Sequence, residues 1–338
     1  MAIANLTLGY TGVQGVWTGF DPGEHPSVVP YKSDRGEVES ALAINFPSPE
    51  RLGDATGLSP SAPFSSLHRI AGVNADTKAT LSEIRYFDFN AVLGGVDSFV
   101  MVADEGDAFL DPSRLEWTST FIHEMFHRYQ HARWAPRRES QDVENYALDA
   151  DNIALATLEE RALKEAVTSG DRATRETAAR RFAAIRRTRF LADGRVVLDN
   201  DQERSEGTAR YVEHRMAGDD TRFQYHVGNY EAGLIGDPDA LLQRGWGIKA
   251  HYAFGRFYAT GAAVLRALDL LGAAGADRSV ERGMSPAYVL IEHIGESESD
   301  PSGLVADARA AYDPDNELPA AAERAAAVAA KEGPLFPR

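Results

Sequence analysis

A change of pattern near residue 114 is what most limits how this chain can fold. Before it, the sequence is rich in Gly, Pro, Ser and Asn, and the β-prone runs "ALAINF", "EIRYFDFNAVL" and "SFVMVA" stand between turn signals. After "DPSR", from Leu115 to about Leu191, Gly and Pro almost vanish and apolar residues recur at helical spacing. Two long helices are expected there, "ENYALDADNIALATLEERALKEAV" and "RETAARRFAAIRRTRFLA", broken at "TSGD". Beyond the turn-like "LADGRVVLDND", helices are expected in "QERSEGTARYVEHRM", over residues 248–272 and in the alanine-rich "ELPAAAERAAAVAAKEG". The pattern predicts an α+β fold: a β- and loop-rich N-terminal lobe over residues 1–113, and a predominantly helical lobe over 114–338 packed on it as one body.

Length and composition remove several function classes. A chain of 338 residues buries a substantial core without covalent staples. Asp and Glu outnumber Lys and Arg by 51 to 35, and the net charge of −16 opposes nucleic-acid backbones and anionic membranes, so neither is expected as a partner. The seven arginines of "DRATRETAARRFAAIRRTRF" lack interleaved stacking aromatics; a solvated helix face is expected there, with Phe182 and Ile185 on a buried edge. No apolar run approaches the roughly 18 residues a membrane span needs, and the first residues lack the basic and apolar regions of a signal peptide. The reading is a soluble chain, with compartment and oligomeric state left open. Gly94 and Gly95 follow no phosphate-loop pattern, and the sequon at Asn5 carries no weight. With no cysteine present, disulfides, thiolate ligands and a cysteine nucleophile are excluded, and any metal site must use His, Asp and Glu.

The stretch "TSTFIHEMFHRYQHARW" supplies such residues. Positions four apart on an α-helix differ by about 40° in azimuth and about 6 Å in rise, so His123 and His127 project from one face close enough to hold one ion. Glu124 beside them reaches a water on that ion without displacing either imidazole. This is the content of the H-E-x-x-H pattern: two neutral nitrogen ligands for a zinc-type cation and a general base for the water it acidifies. His131 continues the stripe but lies about 12 Å along the axis from His123, too far for the same ion, and is assigned a packing role.

The third ligand must then be a carboxylate or one of His214, His226 and His251. Glu159 and Glu160 stand in a charge-alternating stretch where pairs such as Glu160 with Lys164 suit an exposed face. Glu206 stands differently. Gly207, Thr208 and Ala209 follow it, and a glycine inside a helix costs about 1 kcal/mol against alanine, so close packing against the histidine helix is expected there. Glu206 is the first choice of ligand and Glu203 the next, with Glu203 and Glu213 as acceptors for the ligand histidines; an ion pair of Glu206 with Arg210 is the structural alternative.

"HEMFH" followed on a later helix by "EGTARYVE" resembles the gluzincin group of zinc metallopeptidases, in an uncharacterised branch, over about residues 115–270. The resemblance implies a zincin-like fold, Zn2+ held by His123, His127 and Glu206, Glu124 as general base, and a peptide or protein substrate. The stretch between His127 and Glu206 far exceeds the short gap of the best-known gluzincins, so a helical insertion must fill it. An oxyanion donor is needed beside the metal, and "HYAFGRFYATGAA" offers Tyr258 first, then Tyr252 and His251, with Gly261, Ala262 and Ala263 as a close-packing surface. The expected function is zinc-dependent hydrolysis; the alternative is a non-catalytic protein that binds metal structurally or serves recognition.

Overall fold

The structure is a computed structural model that describes residues 15–58, 65–104, 116–135, 143–217, 230–296 and 300–336. Asn5, "DPSR" and His226 lie outside the described residues. The fold is α+β, and the chain forms two compact units, one of residues 1–133 with 212–227, the other of 134–211 with 228–338. The units therefore do not divide at the compositional break near residue 113. The physical reason is the histidine helix: its apolar face is buried on strands, which groups it with the N-terminal part of the chain.

In the first unit a mixed seven-stranded sheet has the order β3-β4-β2-β1-β6-β5, with β7 pairing with β1 off that path. The strands are β1 (Ser27–Lys32), β2 (Val38–Ile44), β3 (Gly53–Gly57), β4 (Leu67–Val73), β5 (Phe87–Leu93), β6 (Val96–Met101) and the two-residue β7 (Ala103–Asp104). Strand β1 pairs antiparallel with β2, Ser27 opposite Ile44, and parallel with β6, Ser27 opposite Phe99. The β5–β6 hairpin closes on Gly94 and Gly95, both at positive φ (52° and 80°), a two-residue turn that matches strand twist and that side chains resist. Helix α1 (Ala75–Glu83), N-capped by Asn74, drives Leu81 into a core with Val28, Ile70, Leu93 and Val100.

Helix α2 (Glu116–Arg133) carries the histidines and lies against β5 and β6. Phe121, Ile122, Met125 and Phe126 are fully buried, Phe121 against Phe99 (5.2 Å between ring centroids), Phe126 edge-on to Trp17 and Phe20 (5.5 and 5.0 Å). Arg128 ties the same helix to the hairpin, donating to the carbonyls of Phe89 and Asp97.

The second unit is helical: α3 (Ala150–Thr168), α4 (Arg172–Ala192), α5 (Val197–Gln202), a π-helical turn (Glu203–Gly207) that runs straight into α6 (Thr208–Ala217), α7 (Pro238–Arg244), α8 (Ile248–Ala250), a second π-turn (His251–Gly255), α9 (Arg256–Leu271), α10 (Ala276–Glu281), α11 (Pro286–His293), α12 (Ser302–Tyr312) and α13 (Leu318–Ala329). Only the first part of α6, up to Tyr211, belongs to this unit. Its core joins Ile153 and Leu158 of α3, Ile185 of α4, Phe257 of α9 and Leu318 and Ala322 of α13. The helices expected over 248–272 and in the alanine-rich segment are present, the former widened by the π-turn. No helix among the described residues is long and apolar enough to cross a membrane.

The arginine-rich helix departs from its expected solvated character. Phe182 and Ile185 are buried as expected, but so are Arg186 and Arg189, fully. Together with Arg256 they meet Glu159, Asp199 and Glu203 in an ionic network: Arg186 bonds Glu159 (2.8 Å) and Glu203 (2.7 Å), Arg189 bonds Glu159 (2.5 Å) and Asp199 (2.7 Å), and Arg256 bonds Glu159 (2.8 Å). Glu159 and Glu160 are accordingly not on an exposed face; both are fully buried, whereas Lys164 is exposed. Burial would raise the Glu159 carboxyl, but three guanidinium groups outweigh it and hold the group well below the usual carboxylate range. The helical spacing of Glu160 and Lys164 was compatible with a surface pair; partners distant in sequence decide otherwise, Arg186 for Glu159 and His251 for Glu160.

Candidate metal centre

His123 and His127 sit one turn apart on α2, only 4% and 7% exposed, because the flanking Ile122, Met125 and Phe126 sink this part of the helix into the core. Their Nε2 atoms face each other at 3.0 Å. The far side of each ring explains this approach. His127 Nδ1 lies 2.7 Å from Gln130 Oε1, and His123 Nδ1 lies 2.8 Å from Glu213 Oε1. An oxygen thus stands behind each Nδ1, and both rings turn Nε2 to the same side. A tetrahedral ion with Zn–N bonds of about 2.0–2.1 Å spaces its nitrogens by roughly 3.3 Å, close to what these rings adopt.

Glu206 joins this pair. One ligand atom from each of His123, His127 and Glu206 lies within 4.8 Å of the others. The carboxylate comes from the π-turn that precedes α6, and Glu213, which orients His123, lies two turns further along the same helical run. The donor set of two imidazoles and a carboxylate, with oxygen acceptors behind the imidazoles, suits a zinc-type ion and lacks the all-oxygen character that calcium or magnesium requires. Glu124, between the two histidines in sequence, is only half-buried.

Other expected residues fall elsewhere. Glu203, the second choice of ligand, is spent on Arg186 and on Thr260, whose hydroxyl donates to it at 2.6 Å, so it serves neither the ion nor the histidines. Gly207 does pack closely, but its neighbour is α9 and not the histidine helix: a Cβ there would stand 2.6 Å from Gly261 Cα. The small surface expected at Gly261 is the other side of that contact. Tyr252 is a core residue whose hydroxyl meets Thr157 at 2.8 Å, with burial pushing its pKa up. His251 is held by Glu160 at 3.0 Å. Tyr258 is half-buried, with the Arg210 guanidinium 5.7 Å from its ring centroid, which seats it against the helix that carries Glu206, one turn beyond that residue. His131 is exposed and edge-on to Phe89 at 5.4 Å, the packing role expected of it. Gln130 was not singled out from the sequence, although its position three residues after His127 places it on that histidine's face.

No family model, curated protein or solved structure matches this chain. The resemblance to gluzincins therefore stands on the motif residues themselves.

Proposed function

We propose that this chain is a zinc-dependent hydrolase acting on peptide bonds, with a zincin-like catalytic arrangement. The observation that supports it is the convergence of His123, His127 and Glu206, with both imidazoles oriented from behind and Glu124 adjoining them in the sequence. His123, His127 and Glu206 would hold the ion, Nε2 being the ligand atom of each imidazole. Zinc bound to three protein groups supplies a water of lowered pKa and polarises a carbonyl. Gln130 and Glu213 keep the two histidines in the tautomer that binding requires. Glu124 accepts the proton of the attacking water and passes it to the leaving amine. Tyr258, neutral and braced by Arg210, donates a hydrogen bond to the developing oxyanion. That the scissile bond is an amide follows from the gluzincin resemblance and not from the geometry.

The test is metal content together with hydrolysis of a broad peptide library by wild type and Glu124→Gln. The expected result is one zinc per chain in both proteins, with peptide cleavage lost in the variant by at least a hundredfold, at the lower end of general-base contributions of about 10²–10⁴. A wild type without stoichiometric metal overturns the reading. Metal held equally by both, with no cleavage by wild type, favours the structural-metal alternative.

A further inference from the structure

The residues that decide where Glu206 points are not metal ligands at all. Glu203 and Glu206 are three apart, and on a regular α-helix they would share a face. Here they part company: Glu203 turns to Arg186 and Thr260, and Glu206 groups with the histidines. The π-turn over Glu203–Gly207 accounts for the divergence, since i to i+5 bonding fits an extra residue into the turn and rotates residues three apart onto different faces. Such a turn gives up regular helical hydrogen bonding and needs contacts that fix it in place. Both of its ends have them. At the first residue, the Glu203 carboxylate receives two bonds from Arg186 (2.8 and 2.7 Å) and one from Thr260 (2.6 Å), all fully buried. At the last, Gly207 lies against Gly261, where a Cβ from either side would meet backbone within 2.7 Å.

We propose that Arg186 and Thr260 are positioning residues for the metal centre: acting through Glu203, they hold the π-turn in the geometry that presents Glu206 to the ion. The inference rests on the assignment of Glu206 as a ligand. When the clamp loosens, the turn relaxes toward α-helical register, and Glu206 swings toward the face that Glu203 occupies. Zinc is then held by the two histidines with a poorly placed carboxylate. The ionic network as a whole stabilises the helical unit, so loss of stability alone does not distinguish this role from a structural one. Metal affinity does.

Thr260→Val keeps the side-chain shape and removes one donor to Glu203; Thr260→Ser keeps the donor. Tyr146→Phe serves as control, because it removes a hydroxyl equally buried in the same network (2.5 Å from Asp199, 2.6 Å from Arg189) that does not touch Glu203. Zinc dissociation constants are measured by competition with a chromophoric chelator, and folding is followed by urea unfolding. Thr260→Val is expected to weaken zinc binding about tenfold, the lower end for outer-sphere residues, and Thr260→Ser to restore it. Tyr146→Phe is expected to lower stability with zinc affinity unchanged. Unchanged affinity in Thr260→Val, or equal losses in Thr260→Val and Tyr146→Phe, overturns the proposal. Glu206→Gln separates the two levels: if it releases zinc and Thr260→Val does not, the clamp alone is wrong. If Glu206→Gln keeps wild-type affinity, the ligand assignment fails and takes the clamp with it.

Discussion

One residue type, glutamate, takes four different roles here, and the neighbours decide each. Glu159 and Glu203 neutralise buried guanidinium groups, Glu160 faces His251 and the Gly236 amide, Glu213 orients a histidine, and Glu206 stands among ligand atoms. From the sequence, the approach of His123 to His127 was legible because helical spacing alone brings the two rings together. Glu206 was singled out for the glycine that follows it, yet that glycine packs on another helix, so its grouping with the histidines was not legible from that signal. Glu159 and Glu160 were not legible either, since nothing local marks a carboxylate whose partner arrives from another helix. Histidine shows the same dependence on surroundings. Burial first, then the Arg128 guanidinium, push His25 down to about 4 from an ordinary 6.5, against the opposing pull of Asp21. The unfolded chain takes up this proton below about pH 6.5 and the folded chain only below about 4, so protonation between those values favours unfolding. Stability linked to His25 is thus full above pH 6.5 and is lost as the pH falls toward 4, by up to about 3 kcal/mol. His25→Gln is expected to flatten this segment: urea unfolding at pH 4.5 and pH 7 will show a smaller difference for the variant. Equal losses for both proteins would remove His25 as the cause.

At the scale of elements, the long helices and the strands around "ALAINF" and "SFVMVA" follow from periodicity, whereas the two π-turns have no sequence signature. The Gly207–Gly261 contact shows why glycine was a sound signal with the wrong target: a helix glycine announces close approach but not what approaches. The contact also makes a prediction whose sign depends on magnitude. Alanine at position 207 would gain about 1 kcal/mol of helix propensity. Its Cβ, however, would stand 2.6 Å from Gly261 Cα and 2.9 Å from the Phe257 carbonyl oxygen, and backbone atoms of a packed helix do not yield as a flexible side-chain tip does. Overpacking of this kind costs about 1–3 kcal/mol and exceeds the gain. Gly207→Ala is therefore expected to lower the urea midpoint, while Gly303→Ala, where a Cβ meets nothing within 4 Å on α12, is expected to leave it unchanged or raise it. A Gly207→Ala protein as stable as wild type would show that the two helices are not held at this distance.

For the whole molecule, the question is whether the proposed metal would hold the fold together or be held by it. The first unit has a core of its own, with Val28, Ile70, Leu81 and Val100 closed between sheet and helix, and α2 is fixed to the strands by Phe121 and Arg128. The second closes around Ile153, Ile185 and Phe257 and carries the buried network of three arginines. Neither core uses His123, His127 or Glu206. That distinguishes this chain from small metal-dependent domains, in which binding energy is folding energy and chelators denature. On the proposed function a bound zinc ion would add only the linkage term, about 4 kcal/mol when free zinc exceeds its dissociation constant a thousandfold. Dialysis against a strong chelator is expected to abolish hydrolysis and lower the thermal midpoint by several degrees, yet leave the far-ultraviolet circular dichroism and a cooperative unfolding transition in place. Zinc added back is expected to restore both activity and midpoint. A chelated protein that loses its helical signal would instead make the ion a structural element and move the alternative reading to first place.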